Sequence, residues 1–108
     1  MSHNYSRLSE AVKHYEKGNL ELSLGLLDKL VSEEPSFADT YGIRGVVLTA
    51  LGLYEDAIES FAQCRKVCPD LWTTDWYESF TLRLLGRNDE ADATKGRAIA
   101  TRTAKYSV

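Results

Sequence analysis

At 108 residues the chain can build one hydrophobic core and not a second. Sixteen acidic against thirteen basic residues give a formal charge of −3, and no cluster of Lys and Arg would neutralise a run of phosphates, which argues against a nucleic-acid partner. Residues 1–8 are polar, and no apolar run approaches the roughly 20 residues of a membrane helix. A cytoplasmic chain without membrane insertion is expected.

The first predicted helix, 4–17, ends at Gly18, and the second, 20–33, carries Leu20, Leu24, Leu27 and Leu30–Val31 at a three-to-four-residue apolar spacing before Pro35. A third helix over 38–51 holds Tyr41, Gly45 and Leu48 and ends at Gly52. The fourth, 54–67, holds Ala57, Phe61 and Cys64 ahead of Pro69. The fifth, 72–85, opens with Trp72 and ends at Gly86. The sixth, 88–104, is mostly Ala, Thr, Asp, Lys and Arg, with Asp89, Glu90 and Asp92 near its start and Arg97, Arg102 and Lys105 toward its end, a distribution that suits the helix dipole.

Gly18, Gly52 and Gly86 are 34 residues apart, as are Pro35 and Pro69, and Ser23, Ala57 and Ala91. A fixed step of this length marks one supersecondary unit copied along an axis. Glycine at the three helix ends can adopt the left-handed conformation that stops a helix, and proline stops the next one. Gly45 and Ala57 are expected to face each other where two helices cross, since larger side chains would push the axes beyond the usual separation of about 8–10 Å.

The middle copy, with Tyr41, Gly45, Leu48, Ala57, Phe61 and Pro69, resembles the tetratricopeptide repeat, with Arg44 as its clear departure. The first copy is degenerate but in frame: Ala11, Gly18, Ser23, Leu27 and Pro35 match Gly45, Gly52, Ala57, Phe61 and Pro69. The third keeps Leu82, Leu85, Gly86, Ala91 and Ala98 but places Lys95 in the slot of Phe61, and reads as a solubilising cap. The resemblance implies an all-α, right-handed solenoid of six antiparallel helices, a single domain over 1–108 with units at about 4–37, 38–71 and 72–105.

Catalysis is not expected. None of the common phosphate-loop, nucleophile-elbow or zinc-protease motifs occurs, and His14 and Glu16, two apart, point to different sides of a helix. Glu33–Glu34 and Glu55–Asp56 read as solvated charge at helix ends, and His14 as a surface residue. Cys64 and Cys68 have no zinc-ligand spacing with His3 or His14 and are expected to be reduced, Cys64 as a small residue between helices. No metal or other cofactor is called for.

In the family the first helix of each unit lines a concave face. The resemblance therefore points Tyr5, Leu8, Val12, Tyr15, Val46, Trp76, Phe80 and Arg83 into a protein-binding groove, on a face shared with Glu16, Asp39, Gly42, Thr49, Ala50, Thr73 and Leu84, with Tyr15, Trp76 and Phe80 as anchors. Family members that grip a peptide carboxylate use Lys, Asn and Arg at slots held here by Leu8, Val12, Ile43, Thr73 and Tyr77, so a carboxylate clamp is not expected. The expected partner is an amphipathic helix or extended apolar segment of another protein, and the expected role that of an adaptor or chaperone. Length, unit number and groove character are similar to the small chaperones of type III secretion. Self-association of the groove or an end face into a homo-oligomer is the alternative.

Overall fold

A computed structural model describes residues 2–106; Met1, Ser107 and Val108, at the ends of the expected 1–108 span, lie outside the described residues, as do the side chains of Ser2 and His3. Among the described residues six helices follow one another: α1 (Ser2–Glu16), α2 (Leu20–Glu33), α3 (Ala38–Ala50), α4 (Tyr54–Val67), α5 (Trp72–Leu84) and α6 (Asn88–Tyr106). They pair as three hairpins, α1 with α2, α3 with α4 and α5 with α6, and successive hairpins stack so that α3 lies between α1 and α5. No described helix is long and apolar enough to cross a membrane.

The 34-residue step is written into the backbone. Gly18, Gly52 and Gly86 have φ of 82°, 81° and 79°, and no other described residue has a positive φ. At the second of these turns Gly52 N–H donates to the Thr49 carbonyl at 3.0 Å and Leu53 N–H to the Leu48 carbonyl at 2.9 Å. These two bonds satisfy carbonyls that the end of α3 would otherwise leave open. Gly18–Asn19 and Gly86–Arg87 repeat the pattern. Each turn reverses the chain within three residues, which holds the hairpins close.

Two buried clusters carry the packing. Ala11, Leu27 and Val47 join the first two hairpins, with Leu8 and Tyr15 among the side chains packed on them; Leu48, Ala57 and Phe61 fill the second. Gly45 was expected to meet Ala57, but its closest neighbour is the Phe61 ring, which occupies the space a Cβ on Gly45 would take. Phe61 is 0% exposed, so the missing side chain of α3 is what admits the aromatic ring of α4.

Between the second and third hairpins the seam is charged. Asp75 and Glu78 stand 34 residues after Tyr41 and Arg44, and both are buried. Arg65 of α4 bonds Asp75 at 3.2 Å and also Glu78, and Arg97 of α6 reaches Asp75 at 3.4 Å. Burial pushes the Glu78 carboxyl above its ordinary range, against the opposing pull of Arg65. This network was not anticipated, although Arg44, which bonds Asp28 at 2.6 Å, shows a charge in the same slot one step earlier.

His14 departs from the surface position expected of it: it is half-buried, and its Nδ1 is enclosed without a hydrogen-bond partner. The final helix has the weak apolar face its composition implies, burying Ala91, Thr94 and Ala98.

Candidate functional site

The first helix of each hairpin borders a hollow of about 380 Å³. Tyr15 comes from α1, Val46, Thr49 and Ala50 from α3, and Tyr77, Phe80, Thr81 and Leu84 from α5, while Phe61 of α4 closes the floor. The spacing of these side chains follows from the helix: Tyr77, Phe80, Thr81 and Leu84 are three or four residues apart and share one face of α5. The Thr49 and Thr81 hydroxyls bond each other at 2.7 Å and so tie α3 to α5 across the hollow. Phe80 and Leu84 remain 55% and 60% exposed, a large apolar rim for two adjacent turns.

Among the described residues no Lys, Arg or His lines this hollow. The lining is apolar apart from hydroxyls, two of them already bonded to each other. Such a surface offers contact area to an apolar side chain and nothing that would offset the desolvation of a carboxylate.

The eight groove residues read from the sequence fall into different places. Tyr15, Val46 and Phe80 line the hollow. Leu8 packs against the buried Ala11, Leu27 and Val47 cluster, Tyr5 stands edge-on to Phe37 at 5.0 Å, and Val12 is half-buried on α1. Arg83 pairs with Asp92 at 2.7 Å. Trp76 lines a second hollow of about 530 Å³ between α5 and α6, at the far end of the stack, together with Trp72. Phe80 is the ridge between the two hollows, its ring 6.0 Å from that of Trp76.

Phe61, Tyr77 and Thr81 were not among the expected groove residues, yet they line the hollow. Phe61 lies on the second helix of its hairpin and reaches the hollow because its ring fills the space that a side chain on Gly45 would take. For Tyr77 and Thr81 the signal was the i, i+4 spacing with each other on α5.

The cysteines are free thiols. Cys64 is buried and bonds the Thr74 hydroxyl at 3.1 Å, and Cys68 lies 3.5 Å from a carboxylate oxygen of Asp70. Burial pushes both thiols up from their ordinary range, the opposite of what a reactive thiolate needs. Among the described residues no group of three or more His, Cys, Asp and Glu side chains could hold a metal ion.

No protein-family model matches the sequence, and no curated protein matches it. Solved structures do. The Yersinia enterocolitica type III secretion translocator chaperone SycD superposes with a TM-score of 0.89 at 18% identity over 99% of this chain and 80% of that protein. The second tetratricopeptide domain of Spaghetti (RPAP3), solved with the HSP90 peptide SRMEEVD, matches with a TM-score of 0.83 at 13% identity, covering 91% of each chain. MamA matches with a TM-score of 0.86 at 16% identity over 97% of this chain, which spans 61% of MamA. At these identities the likeness establishes the fold, and with the three glycine turns and the stacked hairpins it shows that the chain has the fold of a tetratricopeptide-repeat array.

Proposed function

We propose that the chain is a non-enzymatic protein-interaction module whose hollow between α1, α3 and α5 takes an amphipathic helix or extended apolar segment of a partner protein. The observation that carries this reading is the exposed apolar rim of Phe80 and Leu84 around a floor of Val46 and Phe61. Exposed aromatic and aliphatic side chains clustered around a concavity supply the anchor sites that dominate binding energies. The neighbouring structures support the role in kind: one is a chaperone, and one was solved with a peptide.

The lining does not suit the peptide seen in one neighbouring structure. SRMEEVD is acidic and ends in a carboxylate, and the hollow has no cation to meet it. A chaperone-like role, in which an apolar segment of an aggregation-prone partner is kept covered, follows from the same surface and from the breadth of the match to SycD.

Titration calorimetry with an apolar amphipathic helical peptide tests the reading. Leu84→Asp places a charge on the exposed rim without touching the buried clusters, and binding is expected to weaken by about tenfold or more. Equal affinity of Leu84→Asp and the parent protein would remove the hollow from consideration.

A further inference from the structure

The second hollow lies outside the one just assigned, and its chemistry is different. Trp72 and Trp76 stack edge to face along α5, with rings 6.4 Å apart, and Ala98, Ile99, Arg102 and Tyr106 of α6 form the opposite wall. Ile99 is 51% and Tyr106 67% exposed. Lys95 sits 5.5 Å over the Trp76 ring and Arg102 5.2 Å over the Trp72 ring. Among the described residues neither cation meets a carboxylate within 4.0 Å, and no acidic side chain lines the hollow. In a chain of net charge −3 this is a local cationic and aromatic shelf.

The 34-residue step identifies the shape that fits it. One step earlier, the corresponding face receives α5: Cys64 bonds Thr74 and Thr49 bonds Thr81. Advancing Cys64, Gly42 and Val46 by 34 residues gives Ala98, Trp76 and Phe80. The shelf is therefore the seat of a helix, widened by aromatics where α3 has a glycine and a valine.

A second copy stacked head to tail does not fill this seat well. Its Lys13 would stand where Thr81 stands, opposite Arg83 in the place of Thr49. The Arg65–Asp75 and Arg65–Glu78 pairs would be replaced by Ile99 against Arg7 and Ile99 against Glu10. One bond becomes a like-charge contact, and the ion pairs become charges against an aliphatic side chain, both unfavourable.

We propose that the shelf on α5 and α6 docks an acidic amphipathic helix from a partner protein. The apolar stripe of that helix lies on Trp72, Trp76 and Ile99, and its carboxylates meet Lys95 and Arg102. These cations are seven residues apart on one helix, so they share a face and are separated by about 10 Å. The matching carboxylates are likewise two turns apart.

Trp72 and Trp76 are the chain's two tryptophans, so fluorescence reports on the shelf directly. The probe is a synthetic helix of about 18 residues with a Leu/Ala stripe flanked by glutamates two turns apart, beside a twin with lysine at those positions. The acidic peptide is expected to give a saturable shift in emission that weakens with salt, is lost by about tenfold or more in the exposed double variant Lys95→Glu/Arg102→Glu, and persists in Leu84→Asp. Helical circular dichroism confirms that the variants are folded. No shift at millimolar peptide, equal binding of the lysine twin, or loss in Leu84→Asp with retention in the charge-reversed variant would overturn the proposal. So would a concentration-dependent shift of the protein alone matched by dimer mass in sedimentation, which would place a second copy on the shelf. Because Leu84→Asp strikes only the first hollow, failure there and failure here are separable.

Discussion

Gly45 is the position where a single atom decides the packing of two helices. An alanine in a helix interior is ordinarily favoured over glycine by about 1 kcal/mol. Here the added Cβ would collide with the Phe61 ring, which is wholly buried. Overfilling of a closed core costs about 1–3 kcal/mol, so the clash outweighs the propensity. Gly45→Ala is expected to lower the urea midpoint, whereas Gly25→Ala, with nothing near its would-be Cβ, should raise it; a stabilising Gly45→Ala would show that the ring can shift. The complementary change, Phe61→Ala, empties the same space and should cost about 3–5 kcal/mol in chemical denaturation.

The element that sequence patterns describe least well is the last hairpin, because it is held to the second by charge as well as by apolar contact. Arg65 on α4, Asp75 and Glu78 on α5 and Arg97 on α6 share one network, and the Glu78 carboxyl is raised above its ordinary value of 4.5 chiefly by burial. A carboxyl raised on folding binds its proton more tightly in the folded state. Its stabilising contribution is therefore full below pH 4.5 and is lost as pH rises through the folded value. Between neutrality and the ordinary glutamate range, this group should make the protein more stable as pH falls. Glu78→Gln should flatten that part of the stability–pH curve and leave stability near neutrality little changed, because Asp75 still pairs with Arg65. Identical curves for the variant and the parent protein would show that Glu78 does not titrate differently on folding.

At the scale of the molecule, the array depends on neighbours, since each hairpin buries its faces only against the next. α5 covers Phe61 and Cys64 of α4 through Tyr77 and Thr74. A chain cut after Leu71 would open that face to water. Its helical circular dichroism should fall by more than the share of residues removed, with α4 lost alongside α5 and α6. A proportional loss would show that the first two hairpins are self-sufficient. The same stacking produces both candidate surfaces: the hollow bordered by the first helices, and the shelf between α5 and α6. The lack of cations in the hollow leads to a further expectation, that SRMEEVD binds no better than a scrambled version of itself, checked by calorimetry.

The 34-residue step of Gly18, Gly52 and Gly86 was legible in the sequence because a left-handed turn excludes nearly every other residue, and the six helices followed from it within a few positions. Tyr15, Val46 and Phe80 could be placed toward the groove because a helical face is set by spacing alone. What spacing does not encode is which neighbour covers a side chain. Only the tertiary structure decided that Phe61, from a second helix, floors the hollow, that Trp76 turns to the end of the stack beside Trp72, and that Asp75 and Glu78 are buried against Arg65. Each depends on contact between residues of different helices, fixed by how the hairpins stack, and local periodicity carries no record of it.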